Sequence, residues 1–169
     1  MSMAKSGERL YHPFPALFDE NSRTLILGSF PSVKSREQQF FYGHPQNRFW
    51  RVLAAVFSES APQTIAEKRA LVLAHHLALW DVVGSCTVEG SSDASIGGAA
   101  PNDLSPIFLA APISRVFTNG KTAYALYERH QLPKTRLPAQ YLPSTSPANA
   151  AWSFEKLVSA WRVLAEETG

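Results

Sequence analysis

Four short apolar runs divide the chain, and each has the length of a buried strand. They cover residues 24–28, 77–83, 114–119 and 140–142. Between and after them, apolar positions recur every three or four residues, which is the period of a helix that packs on one face. Strands that alternate with helices favour an α/β protein whose parallel sheet is covered by helices on both faces. We therefore predict a single domain with a central four-stranded parallel sheet.

Five helices are predicted from this spacing and from residues that favour helix ends. Thr64 and Glu67 form a capping-box pattern, Asp103 can cap the helix after it, and Pro133 is expected to end the next one. The predicted helices cover residues 50–57, 64–76, 104–111, 122–131 and 154–164.

Two stretches carry no helix or strand pattern. The first ten residues are polar and lack the apolar core of a secretory signal, so we expect a flexible start. Residues 84–102 are rich in glycine, serine and alanine, which predicts an exposed loop. A loop of about twenty residues is long for a compact domain, and its length favours a functional loop over a connector.

The composition fits one globular domain over residues 1–169, with 45% hydrophobic and 18% charged residues. No apolar run approaches the ~20 residues that span a bilayer, so we expect no membrane association. Cys86 is the only cysteine, which excludes an internal disulfide and a thiolate-ligated cluster. This usage fits a reducing compartment, and we expect a cytoplasmic monomer.

The net charge of +2 permits nucleic-acid binding without requiring it. No run of five or six basic residues occurs, so a DNA-binding face would have to form locally from Lys34, Arg36, Arg48 and Lys121. The alternative is that these are scattered, solvated charges. The charge pattern alone leaves both open.

An aromatic loop follows the first predicted strand. Residues 40–50 hold five aromatic rings, and the segment Gly-Ser-Phe-Pro-Ser at 28–32 leads towards them. In an open α/β sheet, ligands bind beyond the carboxyl ends of the strands. The loop is therefore the first candidate for a ligand site.

Three motifs resemble those of a known family. They are Gly-Ser-Phe-Pro-Ser at 28–32, Tyr-Gly-His-Pro-Gln-Asn-Arg-Phe-Trp at 42–50 and Ser-Thr-Ser-Pro-Ala-Asn at 144–149. In this order they resemble the uracil-DNA glycosylase superfamily, above all its hypoxanthine-DNA glycosylase branch, with the mismatch-specific uracil/thymine-DNA glycosylases as the nearest cousins. The resemblance covers residues 24–161 and independently implies a four-stranded parallel sheet with flanking helices.

The resemblance implies a monofunctional DNA glycosylase without a cofactor, whose partner is DNA that contains a damaged base. Such an enzyme flips a deaminated base into a pocket, with hypoxanthine as the first expectation here and uracil as the second. Water then attacks the N-glycosidic bond, and base excision repair begins. No lysine lies within the motifs, so we expect no Schiff base and no strand nicking.

Asn47 is the candidate catalytic residue. In the hypoxanthine branch that this chain resembles, the catalytic asparagine lies in the Asn-Arg-Phe-Trp motif, and its carbonyl oxygen would accept a hydrogen bond from the attacking water. The alternative is that Asn47 only caps the helix that follows it. The mismatch-specific cousins carry their catalytic asparagine where this chain has Phe30, so either the role has moved to Asn47 or the protein is inactive.

The candidates for base binding are Gly28, Ser29, Phe30, Tyr42 and His44. Tyr42 falls where the cousins carry the ring that stacks on the flipped base, and such stacking contributes about 1–3 kcal/mol. A ring packed under a loop is the alternative for Tyr42. His44 would donate to a base or a phosphate, although a lone loop histidine more often makes a local hydrogen bond.

The candidates for DNA binding surround the third motif, which in the superfamily presses into the minor groove. They are Ser32, Lys121, Ser144, Thr145, Ser146, Pro147, Ala148 and Asn149. Many branches start this motif with a histidine that steadies charge on the departing base, whereas Ser144 occupies that place here. The alternative is a proline-rich turn before the last helix.

Other functional classes find little support. The histidines show no metal-ligand spacing, so we expect no metal site, and the chain contains no P-loop, dinucleotide-binding or serine-hydrolase motif. Two rivals stay open: a non-catalytic DNA- or nucleotide-binding module, which the Phe30 departure favours, and a nucleoside hydrolase acting on free inosine.

Overall fold

The computed structural model describes residues 8–87 and 97–166. Its strands are β1 (Arg9–Tyr11), β2 (Thr24–Gly28), β3 (Leu77–Asp81), β4 (Val83–Thr87), β5 (Gly97–Pro101), β6 (Arg115–Asn119) and β7 (Ala139–Leu142). Its helices are α1 (Val33–Gln38), α2 (Phe49–Val56), α3 (Ile65–Ala74), α4 (Ser105–Ala110), α5 (Lys121–His130), α6 (Leu132–Thr135) and α7 (Phe154–Trp161), and a 3-10 turn (Arg162–Ala165) follows α7.

The central sheet has four parallel strands in the order β3, β2, β6, β7. β2 is buried along its whole length. Leu25 and Leu27 belong to the core on one face and Ile26 to the core on the other, as alternation along a strand requires. Gly28 pairs with Asp81, so β2 and β3 end at the same edge. The predicted fold class is confirmed.

Helices cover both faces of this sheet. On one face, residues of α2, α3 and α7 form one buried cluster with Ile26 and Phe117. On the other, Ile107 of α4 and Tyr127 of α5 pack in one cluster with Leu27. Each fully buried side chain of this kind stabilises the fold by roughly 1.5–3 kcal/mol. The two cores therefore hold the helices in place and fix the loops that leave the strands.

A second, antiparallel sheet corrects two predictions. It has the strand order β1, β4, β5. Arg9 and Leu10 pair with β4, so the flexible start does not extend to residue 10, and residues 1–7 lie outside the described part. The expected loop 84–102 instead begins with most of β4 and ends with β5, while residues 88–96 lie outside the described residues. Glycine and alanine dominate β5, so this strand carries no hydrophobic alternation that sequence reasoning could detect.

The predicted cap of α3 is present, whereas Leu104 and not Asp103 is the N-cap residue of α4, and its side chain makes no capping hydrogen bond. Thr64 Oγ1 accepts a hydrogen bond from the Glu67 N–H at 3.1 Å, and Asp103 Oδ1 accepts from the Ser105 N–H at 3.0 Å. Pro133 does not end α5, which stops at His130, but lies in the first turn of α6. α1 and α6 were not expected, because one to two turns are too short to show a helical period. In the parts of the chain that the structure describes, no helix is long and apolar enough to cross a membrane.

Candidate active site

A cleft of about 670 Å³ opens at the carboxyl edge of the central sheet. Gly28, Asp81 and Asn119, which end β2, β3 and β6, line it together with the loops that follow. All the predicted site residues also line this cleft: Gly28, Ser29, Phe30, Ser32, Tyr42, His44, Asn47, Lys121, Ser144, Thr145, Ser146, Pro147, Ala148 and Asn149. The fold thus brings the three motifs to one place, while the individual roles stay predictions.

Tyr42 has an unusual backbone conformation in this cleft. Its φ is +52°, in the left-handed region that bulky residues rarely adopt, and such strain is common at functional sites. Its ring stacks on Phe49 with centroids 4.0 Å apart and an interplanar angle of 20°. Phe49 and Trp50 are buried in the core. One face of the Tyr42 ring is therefore covered by the core, and a ligand can use only the other.

Phe30, Ser32 and His44 make local contacts around the cleft. The Phe30 ring is 9% exposed and has the Arg36 guanidinium 5.8 Å from its centre. Ser32 caps α1 by accepting from the Ser35 N–H at 3.2 Å. His44 Nδ1 accepts from the Gln46 N–H at 3.1 Å, so the local hydrogen bond that we considered for this histidine is present. Because Nδ1 is an acceptor, Nε2 is the nitrogen that can donate to a ligand.

Two hydrogen bonds fix the orientation of the Asn47 side chain. Its Oδ1 accepts from the Phe49 N–H at 2.9 Å and from the Thr145 hydroxyl at 2.8 Å. A backbone N–H can only donate, so the amide atom that faces it must be the oxygen. Asn47 therefore does satisfy an N–H in the first turn of α2. Both lone pairs of Oδ1 are occupied, so Nδ2 rather than Oδ1 is the atom that can face a ligand.

Asn119 sets the direction of the Thr145 hydroxyl. Asn119 Oδ1 accepts from the Thr145 N–H at 3.0 Å, so the Asn119 Nδ2 is the atom that donates to Thr145 Oγ1, also at 3.0 Å. The hydroxyl hydrogen is then directed to Asn47. Asn119 is 9% exposed and Thr145 is fully buried, so this chain of hydrogen bonds is shielded from water. Sequence reasoning did not anticipate this contact, which joins residues 26 positions apart.

Arg48 joins the second motif to the third. Its guanidinium donates to the carbonyl oxygens of Trp152 at 2.5 Å and of Ser146 and Asn149 at 3.1 Å each. The Arg48 N–H also donates to the Thr145 carbonyl at 3.0 Å. Arg48 thus fits neither alternative left open for it, a DNA contact or a solvated charge, because its guanidinium hydrogens are donated to carbonyl groups of the protein.

The other basic residues named for that face differ in their surroundings. Arg36 donates to the Pro31 carbonyl at 2.8 Å, so it too serves the loop. Lys34 is exposed and lies 3.6 Å from Glu37, which offsets its charge. Lys121 is exposed at the start of α5 and lines the cleft. Of these four predicted contacts, Lys121 is the one that keeps a solvated charge at the cleft.

The third motif is a compact turn held by its own serines. Ser144 Oγ accepts from the Ser146 N–H, and Ser146 Oγ accepts from the Ala148 N–H, both at 3.1 Å. Gly120 has a φ of +99°, and a Cβ there would lie 3.2 Å from the Ser144 Cβ. Only glycine fits this close approach without strain. The motif is therefore fixed in shape before any ligand binds.

A buried acid–histidine pair was missed. Asp81 Oδ2 lies 2.7 Å from His12 Nε2, and Asp81 lines the cleft. The sequence does offer one sign of Asp81, because it is the single carboxylate in the apolar run 77–83. Nothing in the sequence points to His12, which is 69 positions away and meets Asp81 only in the fold.

Residues 8–87 and 97–166 contain no group of three or more histidine, cysteine, aspartate or glutamate side chains that could hold a metal ion. Cys86 lies in β4, and burial raises the pKa of its thiol. A buried, protonated thiol is neither a metal ligand nor a nucleophile. Besides the His44 imidazole and the Lys121 ammonium group, the polar and aromatic groups that line the cleft are amides, hydroxyls, aromatic rings and the Asp81 carboxylate.

The candidate site is thus an aromatic cleft between two motif loops at the carboxyl edge of a parallel α/β sheet. The sequence model of the uracil DNA glycosylase superfamily matches residues 15–165. The chain belongs to that superfamily, and it is a DNA glycosylase. The resemblance seen in the three motifs is thereby confirmed.

Relatives of known name agree with this assignment. The chain is 38% identical over 144 residues to a protein named hypoxanthine DNA glycosylase from Methanosarcina acetivorans, which covers 83% of this chain and 89% of the relative. It is 36% identical over 110 residues to a protein of the same name from Methanosarcina barkeri, covering 64% and 70%. A solution NMR structure of a candidate uracil DNA glycosylase from M. acetivorans superposes with a TM-score of 0.75 at 34% identity, covering 90% of this chain and 97% of the other.

Proposed function

We propose that this chain is a monofunctional glycosylase that excises a deaminated base from DNA, with hypoxanthine as its first substrate and uracil as its second. The observation that carries the proposal is the single cleft in which Asn47 lies between the aromatic loop and the third motif. The relatives named hypoxanthine DNA glycosylase support hypoxanthine as the first choice. The motifs contain no lysine, which supports hydrolysis by water over a Schiff base.

In the proposed reaction, the oxygen of water bonds to C1′ of the deoxyribose as the bond from C1′ to the base nitrogen breaks. The electron pair of that bond leaves with the base, and a proton from the water ends on the base or in solvent. Negative charge therefore develops on the base in the transition state. Donors aimed at such charge stabilise the transition state more than the ground state.

Asn47 is the proposed catalytic residue, and it acts as a donor. Phe49 and Thr145 occupy its Oδ1, so the two hydrogens on Nδ2 are its remaining polar contribution to the cleft. An N–H directed at the departing base stabilises the charge that develops there, and removing one such donor costs on the order of 10²- to 10³-fold in rate. Water attack then needs only access to C1′.

The proposed base-binding residues enclose an inserted base. Tyr42 offers the ring face that Phe49 does not cover, and Phe30 closes the pocket with a second aromatic surface. Gly28 and Ser29 bring backbone close to the base, because the end of β2 lines the cleft. His44 offers its Nε2 hydrogen to a base or a phosphate.

The proposed DNA-binding residues lie where the backbone would follow the cleft. Lys121 supplies a solvated ammonium group near the start of α5. Ser32 and the residues 144–149 supply small, hydroxylated surface that lets the phosphates approach closely. We also propose that residues 1–169 act as one domain, as a monomer, in the cytoplasm and without a cofactor.

An excision panel tests the proposed function. Duplexes that contain hypoxanthine, uracil, xanthine or thymine opposite a defined base are incubated with the protein, and the abasic product is cleaved with alkali. We expect hypoxanthine to be released fastest and uracil next, with strand breaks only after alkali. Turnover of free inosine that exceeds turnover of the oligonucleotides would instead favour a nucleoside hydrolase. Binding without release of any base would favour a non-catalytic module.

A further inference from the structure

Two tyrosine rings at the rim of the cleft have no part in the proposed excision. Tyr141 lies in β7, is 38% exposed and lines the cleft. The ring of Tyr124, on α5, has its centroid 6.2 Å from that of Tyr141, at an interplanar angle of 79°. Among the described residues, the two core clusters include neither ring. Packing of the core therefore does not account for this pair.

The place of β7 in the sheet explains why Tyr141 is accessible. In the described part of the chain, β7 is an edge strand that pairs with β6 alone. Leu142 is buried in the core on one face of the sheet, so alternation along the strand turns Tyr141 to the other face, where α5 packs. Tyr141 pairs with Thr118, one residue before the end of β6. The ring is thus held near the carboxyl edge of the sheet, where the cleft opens.

Tyr124 supports the Tyr141 ring from the side of α5. The two rings are nearly perpendicular, which is one of the arrangements that aromatic pairs favour. Glu128, one turn further along α5, accepts a hydrogen bond from the Tyr124 hydroxyl, and this bond and the carboxylate charge raise the pKa of the hydroxyl. Tyr124 is therefore fixed to its own helix. Its contact uses at most one face of the Tyr141 ring, so the exposed part of that ring stays accessible to a second planar group.

Lys121 adds a positive charge to the same rim. It is exposed at the start of α5, lines the cleft and precedes Tyr124 by three positions, so both residues lie on one face of the helix. An ammonium group neutralises a DNA phosphate, and an accessible aromatic ring stacks on a base. Proteins that hold unpaired nucleotides combine these two groups along a groove.

We propose that Tyr141, supported by Tyr124, is a stacking subsite for the unpaired base of the nucleotide next to the flipped one. This inference rests on the proposed function. The cleft that would take the flipped nucleotide extends to Tyr141, and Lys121 in the same cleft attracts the connecting phosphate. Every base has a stacking face, so the subsite accepts any neighbouring sequence. A single strand lacks the base pairs that order the nucleotides around a lesion, and stacking on Tyr141 supplies that order. We therefore expect excision from single-stranded DNA as well as from duplexes.

Removal of one base from the DNA tests the subsite without a change in the protein. Single-stranded oligonucleotides carry one hypoxanthine, with either a normal nucleotide or a base-less tetrahydrofuran residue directly 5′ or 3′ of it. Excision is measured under single-turnover conditions, with enzyme in excess of the DNA but below the concentration that saturates it. We expect the wild-type rate to fall at least ~5-fold when the base on one of the two sides is missing.

Variants of Tyr141 show whether the missing base and the ring belong to one contact. Tyr141→Ala should lower the rate on the intact strand by the same factor, and the missing base should then cause no further loss. Tyr141→Phe keeps the ring and should behave as wild type. Tyr11→Ala removes an exposed tyrosine outside the cleft, so it is the matched control and should keep the wild-type rates. A thermal melt of each variant shows that it is folded.

Three results would overturn the subsite while the glycosylase activity stands. The first is that the losses from Tyr141→Ala and from the missing base multiply, which would show two independent effects. The second is a wild-type rate that changes with neither missing base. The third is a wild type that excises hypoxanthine from duplexes but not from single strands. A wild type that releases no deaminated base from either form would instead overturn the proposed function, and the subsite with it.

Discussion

Two backbone N–H groups determine the chemistry of Asn47. Because a backbone N–H can only donate, the Asn47 atom that contacts the Phe49 N–H must be Oδ1, and so must the Asn119 atom that contacts the Thr145 N–H. Asn119 Nδ2 therefore donates to the Thr145 hydroxyl, and that hydroxyl donates to Asn47 Oδ1. Capping and catalysis are therefore compatible in one side chain, because they use different atoms of the amide. The sequence presented these two roles as alternatives.

Two substitutions of Tyr42 test whether its ring stacks on the base. Tyr42→Phe keeps the ring on Phe49, so we expect it to retain most of the excision activity. Tyr42→Ala removes the ring and should lose roughly 1–3 kcal/mol of base binding, or ~10- to 100-fold. Excision is compared under single-turnover conditions, with enzyme in excess of the DNA but below the concentration that saturates it, and a thermal melt of each variant is the control. Equal losses in the two variants would show that the hydroxyl matters and that the ring does not stack.

At the scale of the elements, the cleft depends on how α2 is joined to the loop before α7. Arg48 stands at the start of α2, and three of its guanidinium hydrogen bonds end on carbonyl groups of residues 146–152. Without Arg48, those half-buried carbonyl groups would need water molecules as their hydrogen-bond donors. The arginine thus fixes the distance between the two walls of the cleft.

Arg48→Lys tests this joint. A lysine keeps the charge but cannot reach three carbonyls with one planar fork. We expect the free energy of unfolding to fall by about 1–3 kcal/mol, because carbonyl oxygens that accept hydrogen bonds from the Arg48 guanidinium would be left without a donor. Urea denaturation gives the value. Arg51→Lys is the matched control, because Arg51 is exposed one turn further along α2 and should stay within about 0.5 kcal/mol of wild type. An Arg48→Lys variant as stable as this control would contradict the role of the joint.

The strands of the central sheet were predictable, because each is an apolar run that ends at a glycine, a proline or a polar residue. β5 was not, since Gly97 and the small residues after it have no hydrophobic pattern, and its pairing with β4 is decided by contacts far apart in sequence. β1 was missed as well, because a strand of three residues is too short to show an alternation of apolar and polar positions. Long-range pairing, which no local window contains, accounts for both errors.

At the scale of the whole molecule, the motifs predicted where the site is but not how its polar groups are directed. Every predicted site residue lines the cleft, because each lies either in the aromatic loop or at or just after the carboxyl end of a strand. The contacts of Arg48, the direction of Asn47 and the pair formed by His12 and Asp81 depend on the tertiary fold. They were therefore outside the reach of motif spacing.

Single-turnover excision of hypoxanthine by Asn47→Asp tests the central claim most directly. The aspartate keeps both acceptor contacts, to the Phe49 N–H and the Thr145 hydroxyl, and replaces only the NH₂ group, which we propose as the donor to the base. A carboxylate at the start of a helix is also favourable, so the variant should melt at or above the wild-type temperature. Asn47→Ser, which can still cap α2, is measured beside it.

If Asn47 donates to the departing base, folded Asn47→Asp and Asn47→Ser should both excise at least ~100-fold more slowly than wild type. Both should still bind a duplex with a non-cleavable hypoxanthine nucleotide, because the lost interaction belongs to the transition state. Near-normal excision by Asn47→Asp alone would mean that the cleft needs an acceptor there and would contradict the donor assignment. Near-normal excision by both variants would reduce Asn47 to a helix cap and contradict its catalytic role altogether.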